Sequence, residues 1–182
     1  CAAKGRIGRD EWAVHKISSS DLKTALPFFE EWELFADLRQ SGPFCAHNAC
    51  VENSFLRAQW PYPRTSPDFA SNSEPPYLEV ADWGPWLDTL PMYKKCYPGL
   101  ESYKLEQLID IFDLSDPLAQ LGRRHCPDGR NRYHCALFDA LATTLLLQHV
   151  LKAMERTSLA KLMALSGHSP AEDGPQQMNL FT

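Results

Sequence analysis

At 182 residues the chain is long enough to bury a sizeable core in one domain and leave a tail over, and its 44% apolar and 23% charged content is that of a globular protein. A net charge of −5 excludes a protein that coats nucleic acid through a basic surface, because that mode needs Lys and Arg to neutralise phosphates; it leaves room for an enzyme that meets phosphate through carboxylate-held metal ions. No apolar run is long enough to span a bilayer, no signal peptide is visible, and the cysteines at 1, 45, 50, 96, 126 and 135 lack a disulfide-framework spacing, so the expectation is a cytoplasmic protein with reduced thiols and no membrane partner.

Residues 1–17 carry no clear periodicity. Ser18-Ser19-Ser20-Asp21 reads as the cap of a short helical turn, and Pro27 opens a helix on which Phe28, Trp32 and Phe35 recur as an apolar stripe. Gly42-Pro43 ends that helix. Phe44-Cys45-Ala46 suits a buried strand, and Asn48 can cap a helix running to about Trp60. From Pro61 to Pro85, prolines at 61, 63, 67, 75, 76 and 85 among Ser, Asn and Asp predict a long loop or insertion. Trp83, Trp86 and Tyr77 near it are candidates for stacking on bases, with burial under the loop as the simpler reading. A helix is expected around Trp86-Leu87-Asp88-Thr89-Leu90, ended by Pro98-Gly99. Further helices are expected over Tyr103–Phe112, Leu118–His125 and about Cys135–Glu155, with a polar turn at Cys126–Arg132 and one last short helix within 157–166.

Two acids fall on faces that otherwise read as buried. Glu52 shares a stripe with Ala49, Phe55 and Leu56, and Asp139 shares one with Ala136, Ala140, Thr143, Leu147, Val150 and Met154. A buried carboxylate is costly unless it is paired or holds a metal, so each is a structural ion pair, an acid at a helix end near water, or half of a shared metal site. His134 and Asp139, five residues apart, would sit about 140° apart if both were helical. The turn at Asp128-Gly129-Arg130 instead lets His134 stand on the loop or at the helix start, above the Asp, where an imidazole suits a general base for water. His125, Cys126, His134 and Cys135 could in principle hold zinc, although no C-x-x-C spacing is present.

These residues resemble a family. Ala46-His47-Asn48-Ala49-Cys50-Val51-Glu52-Asn53-Ser54-Phe55-Leu56 resembles the second motif of the DnaQ-like 3′–5′ exonucleases. His134-Cys135-Ala136-Leu137-Phe138-Asp139-Ala140 resembles the third motif of their DEDDh branch, His-x-Ala-x-x-Asp-Ala. Leu87-Asp88-Thr89-Leu90 and Tyr103–Leu108 look like the connecting helices, and Val14–Ser18 with Asp21-Leu22 looks like the upstream His-Gly-Ile-Thr segment, so the likeness spans roughly residues 12–152. It implies an α/β, RNase H-like fold, a mixed sheet flanked by helices. It also implies hydrolysis of the terminal phosphodiester at a single-stranded 3′ end of DNA or RNA with two Mg²⁺ or Mn²⁺ ions. Asp139 would be a direct metal ligand, Glu52 would take the second-motif acid position, and His134 would be the general base. Glu52 stands where the family usually has Asp, which implies an altered metal preference. The family's Asp-x-Glu on the first strand has no counterpart here, because Asp10-Glu11 is adjacent rather than spaced. The native polypeptide is therefore expected to extend upstream by a few strands carrying that motif, and this chain alone to bind catalytic metal poorly.

The expected organisation is an exonuclease-like domain over 1–155 with its first strands missing, then a short helix and flexible tail over 156–182. In that tail Gln177, Met178, Leu180 and Phe181 resemble the peptide by which bacterial replication and repair proteins dock on a sliding clamp. The competing expectation is a catalytically inactive nuclease-fold module that keeps only the clamp contact.

Overall fold

The computed structural model of the chain describes residues 8–15, 17–23, 27–60, 64–67, 69, 77–80 and 83–167. The fold is mixed α/β and mostly helical, with a small parallel sheet of two strands. Among the described residues no helix is long and apolar enough to cross a membrane. The clamp-like residues Gln177, Met178, Leu180 and Phe181 lie outside the described residues.

Two short helices, α1 (Arg9–His15) and α2 (Ser19–Lys23), come first. The Asp10-Glu11 pair is therefore helical. Ser18 and Asp21 cap α2 reciprocally: the Ser18 N–H donates to the Asp21 carboxylate at 2.7 Å, and the Asp21 N–H donates to the Ser18 hydroxyl at 3.2 Å. Pro27 opens a 3-10 turn at Phe28–Glu31 that runs into α3 (Trp32–Ser41), and Gly42 ends it as its sequence implies. Strand β1 (Phe44–Ala46) leads to α4 (Cys50–Gln59).

The segment read as a loop holds two strands, β2 (Arg64–Pro67) and β3 (Tyr77–Val80), paired antiparallel with Pro67 opposite Tyr77. Proline is tolerated at a strand end, which is why the Pro-rich composition concealed the pairing. The expected helix at Trp86 is likewise corrected: Trp86–Asp88 is strand β4, and helix α5 begins at Thr89 and runs to Cys96. β4 pairs in parallel with β1, Phe44 facing Trp86, Cys45 facing Leu87 and Ala46 facing Asp88. Alternation along a strand then sends Trp86 and Leu87 to opposite sides.

Those two sides are two cores. Leu87 joins an aliphatic core built by α5, α6 (Leu105–Ile111), α7 (Ser115–His125), α8 (Ala136–Ala153) and α9 (Leu159–Leu165). Its centre is α8, a run of Ala and Leu suited to a helix, which buries Phe138, Ala142, Leu145, Leu146 and Val150. Trp86 joins an aromatic core with Trp60, Trp83, Leu56, Ala46 and Ala49, covered by Phe28, Trp32, Phe35 and Phe44. Rings there approach to 4.9 Å between Phe28 and Trp60 and 5.3 Å between Trp60 and Trp83. Trp83 and Trp86 are thus core residues, closed to stacking on bases. Buried Arg39 donates through Nε and a terminal nitrogen to the Gly84 carbonyl at 2.9 and 2.7 Å, tying α3 to the approach of β4.

The Asp88 side chain is one link between the halves. The Asp88 carboxylate caps α5 by accepting from the Leu90 N–H at 3.0 Å, and also accepts from the Asn48 and Ala49 N–H groups at 2.9 and 2.8 Å ahead of α4. Asn48 does not cap α4 with its side chain, as its sequence position suggested; it takes a left-handed conformation, φ 72°, which Asn tolerates better than most residues. The Asp88 N–H in turn donates to the Ser166 hydroxyl at 3.0 Å, just past α9.

Candidate functional site

A cleft of about 490 Å³ opens between α4 and α8, and Glu52, His134 and Asp139 all line it, with Cys45, Ala46 and Thr143. The three residues singled out from sequence therefore converge on one space. They do so by a different route from the one expected. Ala49, the residue ahead of α4, and Leu56 on it are buried, whereas Phe55 is 70% exposed and Glu52 is exposed as well. Glu52 flanks the aromatic core and looks over the cleft. On α8 the residues grouped with Asp139 divide: Thr143 and Val150 are buried, while Ala136 and Ala140 are exposed as the cleft wall. Their short side chains leave the groove that larger residues would fill.

His134 stands just ahead of α8, with Cys135 as N-cap, at φ 65°. This left-handed turn ends the polar loop and places the exposed imidazole at the rim of the cleft. Burial pushes the Asp139 carboxyl above its ordinary range, opposed by a hydrogen bond from the His134 main chain and by the nearby imidazole. Glu52, though exposed as a residue, has its carboxyl partly desolvated against the cleft and so is pushed up as well, with the Asp88 carboxylate adding to the rise. Neither acid forms an ion pair with Lys or Arg among the described residues, where the pairing is Arg130 with Asp21 at 3.2 Å.

A second cleft, of about 800 Å³, adjoins the first through His47, Leu105, His134 and Asp139, and extends past Lys94, Lys104 and Tyr133. His47 was quoted in the sequence motif without a role, and here it is a structural pin. Its Nε2 lies 2.8 Å from the Tyr103 carbonyl, which can only accept, so that nitrogen carries the hydrogen. Burial holds the imidazole below its ordinary pKa, leaving Nδ1 bare to accept from the Thr89 hydroxyl at 2.9 Å, a closer partner than the Ala46 carbonyl at 3.3 Å. Both ring nitrogens are engaged, so of the two histidines at the cleft His134 is the one placed to move a proton. Asp88, which sequence reading absorbed into a helix, sets the relative position of α4 and α5; a lone Asp between an apolar pair and Thr-Leu-Pro was the available signal for an N-cap.

Comparison of the chain with protein-family models, with curated proteins and with solved structures finds no match in any of the three. Among the described residues no group of three or more His, Cys, Asp or Glu is disposed to hold a metal ion, and this includes the zinc quartet considered from sequence. Two carboxylates facing one solvent-open cleft still suit a hard divalent cation, because Mg²⁺ keeps most of its waters and takes one or two carboxylates together with substrate phosphate oxygens.

Proposed function

We propose that the cleft between α4 and α8 hydrolyses the terminal phosphodiester of a single-stranded 3′ end of DNA or RNA, as in a DnaQ-like 3′–5′ exonuclease of RNase H-like fold. The observation that carries this reading is the convergence of Glu52, His134 and Asp139 on one cleft from two separate walls. The parallel pairing of β1 with β4 and the packing of α8 against β1 agree with such a fold. Asp139 and Glu52 would hold Mg²⁺ or Mn²⁺, which when bound supplies neutralisation of charge at the scissile phosphate. His134, exposed at the rim, takes the proton from the attacking water. His47 keeps the end of β1, the start of α5 and the approach to α6 in register, so the floor beneath the substrate stays fixed. Tethering to a sliding clamp through Gln177, Met178, Leu180 and Phe181 would raise the local concentration at DNA without a basic surface.

The test is release of nucleoside monophosphates from 3′-labelled single strands by the full chain with Mg²⁺ or Mn²⁺. Asp139→Ala brings the rate to background, and His134→Ala lowers it about 10²- to 10⁴-fold. A second reading is a non-catalytic nuclease-fold module that docks on a clamp, and what favours it is that these residues hold no counterpart of the Asp-x-Glu pair the resemblance calls for. Release that Asp139→Ala leaves intact, or no release with either cation even when an upstream strand carrying Asp-x-Glu is supplied, sinks the catalytic reading in favour of that one.

A further inference from the structure

Cys126 closes α7 and Cys135 opens α8, and the segment between them carries Tyr133 and His134. The two helices pack on one another so closely at Gly122 that a Cβ built there would meet Phe138 Cε2 at 2.9 Å. One helical turn toward the loop from Gly122 is Cys126, and one turn back from Phe138 is Cys135. Steps of three or four residues keep the same helix face, so both thiols are carried on the facing sides of the pair, at its mouth. Cys135 is buried in the aliphatic core and Cys126 packs against that same core. The segment between is folded back by two turns, with the Arg130 N–H on the Pro127 carbonyl at 2.9 Å and the Cys135 N–H on the Arg132 carbonyl at 3.3 Å. Arg130 also reaches Asp21, the one ion pair holding that segment among the described residues.

We propose that Cys126 and Cys135 close to an intramolecular disulfide under hydrogen peroxide and reopen under a small thiol reductant, and that the bridge sets how freely His134 moves over the cleft. The placement of the two thiols is independent of the exonuclease reading. Cys126 is the more accessible, so its thiolate attacks one peroxide oxygen, the O–O bond breaks, and water leaves with Cys126 as a sulfenic acid. The Cys135 sulfur then attacks the Cys126 sulfur, the S–O bond breaks, and a second water leaves. Two thiols have given two electrons to one peroxide. Burial and the neighbouring Cys135 push the Cys126 thiol above its ordinary pKa, so thiolate is scarce and closure is slow at neutral pH, quickening as pH rises.

The full chain is treated with hydrogen peroxide, quenched, alkylated in denaturant and digested with trypsin, which separates the two cysteines by cutting after Arg130 and Arg132. The expected result is a cross-linked peptide pair joining Cys126 to Cys135, lighter than the reduced pair by two hydrogen atoms and reversed by dithiothreitol. Amide hydrogen exchange across 127–134 slows in the oxidised chain, and peroxide leaves it unchanged in Cys126→Ser. Mapping of the unsubstituted chain alone decides the bond, so the result does not depend on how that variant folds. Sulfinic acid on Cys126 with Cys135 still alkylated, bridges to any other cysteine, or both thiols still reduced after the exposed Cys50 has oxidised would each overturn the proposal. A bridge that forms without slowing exchange overturns its action on His134.

Discussion

The aliphatic and aromatic cores are made in opposite ways. The aliphatic core assembles from five helices that follow one another from residue 89 to 165, each adding a pair or so of buried side chains to α8. The aromatic core gathers Phe28, Trp32, Phe35, Phe44, Trp60, Trp83 and Trp86 from segments far apart in the chain. Local contacts make the first robust; the second exists only when distant segments meet. The candidate site spans both, since Glu52 rides on a helix of the aromatic half and His134 and Asp139 on the aliphatic one. Its geometry therefore depends on the seam, which is β1 paired with β4, the carboxylate of Asp88 and the imidazole of His47.

Leu146→Ala tests the stronger half. Leu146 is fully buried on α8, and removing its side chain costs about 2–5 kcal/mol with a cavity left behind. Of the five tryptophans Trp32, Trp60, Trp83 and Trp86 belong to the aromatic side and Trp12 is already exposed, so the change in indole fluorescence follows mainly that side while far-UV circular dichroism follows the helices. In urea both signals of Leu146→Ala move together to lower denaturant, because the seam couples them. Phe55→Ala, at an exposed position on α4, shifts neither beyond about 0.5 kcal/mol. Fluorescence that stays at the unsubstituted midpoint would show two independent halves and remove the basis for a site built across them.

Asp88→Ala is directed at the seam. It strips an acceptor from the N–H groups of Asn48, Ala49 and Leu90, each with a part-buried or exposed environment, for a combined cost of about 1–3 kcal/mol. The expected signature is a split, fluorescence melting before circular dichroism, where Leu146→Ala keeps them coincident. A uniform loss with coincident transitions would mean that the strand pairing and the His47 contacts couple the halves without the Asp88 carboxylate.

The same contrast decides what could be read from sequence. Helices α6, α7 and α8 were legible because their apolar periodicity is local and their contacts are near neighbours in the chain. β4 was not: Trp86 and Leu87 suit a helix as well as a strand, and only pairing with β1, a segment some forty residues earlier, decides between them. The capping role of Asp88 has the same origin, its partner Asn48 being 40 positions away. Glu52 and Asp139 line one cleft, yet the residues expected to share a stripe with each of them divide between core and surface. Phe55 turned outward because the aromatic core is filled by rings from other segments, and Ala136 and Ala140 form a wall because they are too small to close the groove.

The smallest effect is the most specific to the site. Asp139 lies in the first turn of α8, where the helix dipole favours a carboxylate by about 0.3–1 kcal/mol, yet burial prevails and its pKa is raised. Glu52 is raised as well. For an acid whose pKa is higher folded than unfolded, the folded chain binds the proton more tightly. The stabilisation is complete below the ordinary carboxylate range and is lost as pH rises through the raised value. The unsubstituted chain should therefore lose stability over that window, and Asp139→Asn should flatten the loss. At neutral pH Asp139→Asn should gain well under about 1 kcal/mol, since the cleft is open to water and screens the charge. Mg²⁺ should raise the unsubstituted chain's Tm in proportion to the logarithm of its concentration and leave that of Asp139→Asn nearly unchanged. Thermal melts with equal pH slopes for both chains would mean that Asp139 carries no strain from burial. Equal responses to Mg²⁺ would mean that the cation binds elsewhere, so the comparison separates a carboxylate merely held in a groove from one set there to take a cation.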